Sequence, residues 1–400
     1  MAEPLRIANA SGFYGDRFTA IAEQIRGGPI DVITGDYLAE LTMLILWKAK
    51  QQSPEKGYAV TFLRQMEEVL AECLAKGVKV VTNAGGLNPA GLARDLRSVA
   101  ATLGIDVSIA HVEGDDLLGA TGDLAGSGHD LRHIETGQTL SELGAHPLTA
   151  NVYLGAWGIV EALNRGADIV VTGRVADAAL VVGPAAWHHR WKMNDWDSLA
   201  GAVVAGHVLE CGAQATGGNL SFFTEIADLS HPGFPIAEVA EDGAAVITKH
   251  AGSRGAVTLD SVTAQILYEI DSPEYRTPDV VAHFDTIRLD TVGENRVRIT
   301  GVRGTQAPKE LKVAINYLGG YRNSMTLVLV GLDVEAKAAL VEDALRRELT
   351  GDREPEVLQF MLADTGHSDP STNEEAASTL TITAMDPDPA KVGRSFSSTV

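Results

Sequence analysis

The sequence predicts an α/β fold: a parallel sheet with helices on both faces, Rossmann-like in layout, then a mixed α+β lobe with antiparallel strands. Three observations carry this expectation. Five short apolar runs in the first half each end in a polar, glycine-containing cluster. Segments of helical character lie between most of them. Past residue 225 the pattern turns to alternating strands joined at short turns. Continuous apolar strands that alternate with helices are buried on both faces, as in parallel sheets with right-handed crossovers.

Each element follows in order. Leu5 to Ala8 enters NASGFYGDR, and a helix is expected over 18–26. Asp31 to Ile33 enters TGDYLAE, with helices over 37–50 and 59–76. Val78 to Val81 enters TNAGGLNP, where Asn88 reads as an N-cap and Pro89 as the first helical residue of 89–103. Val107 to Val112 enters EGDD, and a helix over 151–165 leads to Ile169 to Val171 and TGRVADAA. Helices over 176–186 and 198–211 follow. Glu241-Asp242-Gly243 reads as a hairpin turn. Residues 285–301 read as two strands joined around Val292 to Asn295, and 311–331 as two more turning at Gly319-Gly320. A helix over 333–349, the strand ASTLTITAM and a helix start at GRSFSSTV complete the reading. Gly217, Gly218, Pro232 and Pro235 place a domain boundary there, giving domains 1–225 and 226–400, the second expected to end inside a further element.

A chain of 400 residues exceeds one ordinary core. Hydrophobic residues at 45% and charged ones at 21% are the balance of a globular chain. The formal charge of −21 argues against a nucleic-acid partner, which needs a basic surface. No apolar run reaches membrane-spanning length, and MAEPLRIANA lacks a secretory pattern. With two separated cysteines, Cys73 and Cys211, this points to the cytoplasm. Homo-oligomerisation is expected from the antiparallel edges of the second part.

Ligands of parallel α/β sheets bind outside the carboxyl ends of the strands. The five clusters are therefore expected to line one cleft. Glu113, Asp115 and Asp116 crowd three carboxylates into four residues, which suits acid–base work, and Asp115 is the leading choice. A helix start is the simpler use of the same acids. Arg174 can offer a bidentate fork to an anion, with Asp177 as its orienter or as a further acid–base group. Asp16 and Arg17 repeat the pairing at the first strand end, and Asp36 reads equally well as a helix cap. Asn83 and Asn88 can donate to a developing oxyanion. Asn9, Ser11, Gly12, Gly85, Gly86, Thr172 and Gly173 complete the expected substrate-binding set.

HVLECGAQ places His207 and Cys211 four apart on a helix, the spacing of a nucleophilic pair or of ordinary core filling. HDLRH spaces His129 and His133 like ligands, but no third ligand stands near, and no metal is expected. No GxGxxG, GxxxxGK[ST], GxSxG or CxxC occurs, so no cofactor is identified.

NASGFYGDR, GDYLAELTM, TNAGGLNP, VEGDD, TGRVADAAL, HVLECGAQATGG and HPGFPIAEV together resemble the acyclic terpene utilisation family of AtuA type, from residue 5 to about 395. That resemblance implies bacterial catabolism of citronellol and geraniol through branched acyl-CoA esters. It implies a lyase or hydratase-type enzyme, one suggested reaction being loss of acetate from a 3-hydroxy-3-isohexenylglutaryl thioester, with CoA as part of the substrate. It also implies a small ferredoxin-fold protein or domain as partner. Two alternatives stand beside it: a non-catalytic binding or scaffold subunit, and a thiol hydrolase acting through Cys211.

Overall fold

All five apolar runs of the first half form strands, and they lie in one parallel array. A computed structural model describes residues 3–400. The chain begins β1 (Leu5–Asn9), α1 (Ala20–Gly27), β2 (Val32–Gly35), α2 (Glu40–Gln52), α3 (Val60–Ala75), β3 (Lys79–Thr82) and α4 (Pro89–Thr102). It continues β4 (Ile109–Val112), α5 (Thr121–Gly126), α6 (Leu140–Leu143), β5 (Pro147–Val152), α7 (Trp157–Asn164), β6 (Ile169–Thr172), α8 (Ala179–His189) and α9 (Trp196–Glu210). Then come β7 (Ile236–Val239), β8 (Ala245–Thr248), α10 (Leu259–Leu267), β9 (Glu274–Arg276), β10 (Val281–His283), β11 (Arg288–Gly293), β12 (Arg296–Thr300), β13 (Arg303–Thr305) and β14 (Val313–Tyr317). Apart from Tyr317 at the end of β14, these belong to a first unit that runs to Asn316.

The nine-stranded sheet has the order β11-β12-β8-β7-β1-β2-β3-β6-β4. Successive side chains of a strand point to opposite faces. Ile7, Val32, Val81 and Val170 accordingly pack on one side among residues of α7, α8 and α9. Ala8, Ile33, Val80, Ile169 and Val171 pack on the other among residues of α1, α3 and α4. The expected cap of α4 is present: Asn88 Oδ1 accepts the Gly91 N–H at 3.0 Å and Pro89 is the first helical residue. α9 has no polar face, and every residue from Leu199 to Glu210 is buried. Its glycines make this fit, since a Cβ on Gly206 would come within 2.8 Å of the Ala178 Cα and one on Gly201 would strike the Gly243 carbonyl.

The second unit, Tyr317–Val400, holds β15 (Tyr321–Val330), α11 (Val334–Glu348), β16 (Val357–Ala363), β17 (Ala377–Asp386), α12 (Pro389–Val392) and α13 (Arg394–Thr399). Its sheet is antiparallel in the order β15-β17-β16. Met325, Leu327 and Leu329 alternate onto the face that packs with Leu380, Ile382, Leu345 and Phe396.

The structure corrects four expectations. The boundary at 225/226 falls inside the first unit, because β7 pairs with β1 and carries the same sheet onward through β8, β12 and β11. The parallel array is thus half of a mixed sheet, and the antiparallel strands of 236–300 do not form a separate lobe. The helix expected over 151–165 starts only at Trp157, since 147–152 is a strand paired with β14. The strands either side of Gly319-Gly320 do not pair with each other: β14 joins β5 and β15 joins β17. The hairpin turn at 241–243 stands, with Gly243 at φ +82° and Asp242 Oδ1 accepting the Ala244 N–H. Among the described residues, no helix is long and apolar enough to cross a membrane.

Candidate functional site

The loops at the carboxyl ends of the parallel strands interlock. The Asp36 N–H donates to the Ser11 carbonyl at 3.0 Å. Asn83 joins the next two loops, donating to Asp36 Oδ1 at 2.6 Å and accepting the Tyr37 N–H at 2.8 Å. Asp115 Oδ2 accepts the Arg174 N–H at 2.8 Å and Asn151 Nδ2 at 2.9 Å. A Cβ on Gly85 would strike the Thr172 carbonyl, and one on Gly12 would come within 2.6 Å of the Cys211 backbone. These glycines admit neighbouring loops of the chain itself.

Arg174, 3% exposed, stands at the centre. Its Nη1 donates to the Leu38 carbonyl at 3.0 Å and to Asp177 Oδ1 at 2.8 Å, and its Nη2 to the Tyr153 hydroxyl at 2.9 Å. The guanidinium carbon lies 4.2 Å from the Tyr153 ring centre, and Lys312 Nζ lies 4.7 Å from it. Backbone pairing places both residues: the Tyr153 N–H donates to the Lys312 carbonyl at 2.9 Å, beside the β5–β14 ladder. Tyr153 in turn donates to Glu40 Oε1 at 2.6 Å. Burial works against the Glu40 charge, but that hydroxyl, with its own backbone and Arg174, holds the acid at about 2.

Facing this cation is a set of acids with the opposite tendency. Burial pushes Asp36 well above the usual carboxylate range, and the Asp177 charge adds to the rise. Burial also raises Asp177, against the pull of Arg174. Burial takes Glu210 up to about 7, opposed by His207 and aided by Asp177 and Glu269. His207 Nδ1 lies 3.0 Å from Glu210 Oε1, though not aligned as a hydrogen bond, and the pair holds a proton near neutrality. The His207 ring is packed against Tyr275 and Phe284, 5.5 and 5.6 Å between centres. Asp177 keeps 30% of its side chain exposed. Glu269 adopts φ +60°, a left-handed backbone unusual for a residue with a side chain.

The other expected residues go elsewhere. Asp36 caps no helix, since α2 starts at Glu40 with Ala39 before it. Glu113 is 61% exposed and faces His111, while Asp116 is exposed and accepts the Leu118 N–H. The three-carboxylate cluster therefore splits, with only Asp115 turned inward. Asn9 Oδ1 accepts the Ser11 N–H, and its amide holds the last carbonyls of α9. Asp16 accepts the N–H groups of Gly12 and Arg17. Arg17 turns to Glu23 and the Pro232 carbonyl, 2.8 Å each. Asn88 serves its helix and the 55–56 turn, and Thr172 bonds the Gly173 carbonyl. His129 and His133 lie on an exposed loop. Cys211 falls just past the end of α9, and burial and the neighbouring Glu210 raise its thiol far above a reactive range. A small cavity of ≈ 140 Å³ lies at Glu23, Gln24, Phe234 and His250, and none of the raised acids lines it. Among the described residues, no group of three or more His, Cys, Asp or Glu is placed to hold a metal ion.

Asp115 is 4% exposed and both donors to its carboxylate are spoken for by structure. Asp115→Ala is expected to lower stability by about 1–3 kcal/mol by orphaning those donors. Asp115→Asn keeps an acceptor and should hold both fold and turnover. A loss of roughly a hundredfold in turnover for the Asn variant at unchanged melting temperature would assign Asp115 the acid–base role.

Tyr153, Lys312, Glu269 and Tyr275 carry no local signal, because each reaches the site from a segment far from the strand-end clusters, while Glu40 ends the TGDYLAE cluster itself without being singled out by its pattern. Comparison with known proteins gives one match. A family model described as acyclic terpene utilisation family protein AtuA covers residues 5–400. No curated protein and no solved structure matches the chain.

Proposed function

Because the chain belongs to the acyclic terpene utilisation family AtuA, and so has an implied role in that process, we propose that it is a cytoplasmic lyase or hydratase-type enzyme. Its substrates are branched or hydroxylated acyl-CoA esters or the matching carboxylic acids. The Rossmann-like reading of the parallel half belongs to the same proposal and is supported by its helices on both faces.

One observation carries the reading. Asp177, partly open, sits 2.8 Å from a buried arginine and beside Glu210, whose carboxyl lies at about 7. Acids tuned toward neutrality exchange protons best at physiological pH. In an elimination, the Glu210–His207 pair removes a proton from the carbon next to the thioester carbonyl. The resulting enolate expels the β-hydroxyl as Asp177 protonates it. In a C–C cleavage the same base takes the hydroxyl proton. The carbon–carbon bond then breaks toward the carbonyl, and Asp177 protonates the new enolate carbon. Arg174, backed by the Tyr153 hydroxyl, offsets the negative charge that builds in either case.

A panel of branched acyl-CoA thioesters and their free acids, followed by mass spectrometry, tests this. Loss or gain of water, or release of acetate, is the expected result. No mass change with any member, with or without a small ferredoxin-fold protein, would sink the catalytic reading. It would favour a binding subunit instead. That second reading is supported by β15, an edge strand of ten residues on which Val328 is 64% exposed. The same edge supports homo-oligomerisation.

A further inference from the structure

The fold leaves the outer side of β15 unguarded. The strand pairs with β17 over ten consecutive residues without a bulge, and among the described residues no strand lies on its other side. The Gly331 N–H continues that ladder to the Ala376 carbonyl. In an antiparallel pair, residues alternate between bonding the neighbouring strand and facing away from it. The odd-numbered residues therefore bond β17, and the N–H and C=O groups of Ser324, Thr326 and Val328 face outward. Val330 faces outward as well, but Lys337 Nζ donates to its carbonyl at 2.6 Å and closes that end. Between Asn323 and Leu332 the chain carries no charge and no proline. Edges that must stay single are ordinarily blunted by lysine, proline, a bulge or shortness.

The opposite edge of the same sheet is protected. β16 has seven residues, with Glu354-Pro355-Glu356 before it and Asp364 after it. Two copies of β16 pairing antiparallel about Phe360 would set Glu356 opposite Asp364 at both ends, and like charges directly opposite are destabilising. β15 carries no such conflict. Two copies pairing about Thr326 set Ser324 opposite Val328 and Arg322 opposite Val330. Met325 and Leu327, half-buried at the margin of this unit's core, then meet Leu327 and Met325 of the second copy. A chain of formal charge −21 repels its own copies, so close approach favours a neutral stretch such as this one.

We propose that β15 is a dimerisation strand: a second copy of this chain pairs with it antiparallel about a two-fold axis at Thr326, joining two sheets into one. The outward N–H and C=O groups of Ser324, Thr326 and Val328 are those the second copy satisfies. A two-fold axis makes the contact self-complementary and closed, so pairing stops at two copies. The proposal gives the register and the contact residues of the homo-oligomerisation stated above, and it is independent of the catalytic reading.

Sedimentation analysis of the wild-type chain at micromolar concentration should give twice the chain mass. Val328→Lys, at a position 64% exposed, should fold as wild type does. It should raise the dissociation constant of the dimer by about tenfold or more, because the two-fold axis counts the change twice. Thr326→Pro removes an outward N–H, which an edge strand tolerates, and should act in the same way. Thr326→Cys should form a disulfide-linked dimer on mild oxidation, since residues paired across such an axis stand about 5.5 Å apart at Cα. Met361→Cys, 63% exposed on β16, should not. A monomeric wild-type chain would overturn the proposal, including one that pairs only with a small ferredoxin-fold protein. So would a dimer that persists in Val328→Lys, or one that crosslinks at position 361 as readily as at 326. Should Thr326→Pro fail to fold, Val328→Lys and the crosslink decide. Thioester turnover is measured alongside, and its absence from an intact dimer would strike the catalytic reading alone.

Discussion

Glu210→Gln should lower turnover by roughly a hundredfold or more while making the protein more stable at pH 8. The two effects share one cause. The carboxyl stands at about 7 in the folded chain against an ordinary 4.5, mainly because it is buried. Between those values the folded state holds a proton that the unfolded state has released. Stability therefore falls as pH rises through this window, and the loss is complete above about 7. Glutamine keeps the shape and removes the titration. A shift of this size is worth on the order of 2–3 kcal/mol, after allowing for what His207 returns. The melting temperature should then rise by several degrees at pH 8 and change little at pH 5. Turnover falls because the proton-transfer partner is gone, and general acid–base groups contribute about 10²–10⁴-fold. Calorimetric scans at both pH values with a thioester assay would check the pair. Unchanged turnover with a lower melting temperature at pH 8 would make Glu210 a structural group.

Arg174→Met is expected to unfold the site. The guanidinium is 3% exposed and satisfies the Leu38 carbonyl, the Tyr153 hydroxyl and Asp177. Removing one partner of a buried pair costs about 3–5 kcal/mol, because the others stay buried without compensation. Arg174→Lys should recover little, since an ammonium cannot span these acceptors as a planar fork does. Arg174 also lowers both Asp36 and Asp177 against burial. Without it both rise further, so the variant should lose stability with increasing pH more steeply than wild type. Urea midpoints at several pH values measure both effects. A midpoint within about 1 kcal/mol of wild type would show that the acids hold their places unaided.

The parallel half is legible in the sequence because its signals are local. Each strand is a short apolar run and each helix start follows a turn residue, as at Asn88-Pro89. What fails is non-local. Gly217, Gly218, Pro232 and Pro235 mark a real interruption, but only the pairing of β7 with β1 shows that it lies inside one unit. The helix expected over 151–165 overlaps β5 only at Asn151 and Val152, and the strand state of β5 depends on β14 more than 150 residues later. The strand-end position of Asp36, Asn83, Asp115 and Arg174 is visible from pattern alone, and these residues do interlock. Which of them remain open is not visible, because exposure is set by Tyr153, Lys312 and Glu269 from elsewhere in the chain. His207 and Cys211 read as a pair on the assumption that the helix includes both. α9 stops at Glu210, and the partner of His207 is that residue instead.

The glycines of α9 bear on how such a site can diversify. Gly201 meets the backbone of Gly243 and Gly206 meets Ala178, so α9 can neither slide nor thicken without collision. His207 and Glu210 are thereby fixed against the sheet like marks on a ruler. Glu40, Lys312 and Glu269 sit on exposed positions with no comparable restraint. Descendants of this chain that come to accept new substrates would change first at 39–41, 267–271 and 309–312. The α9 floor would record common ancestry long after the rim had drifted.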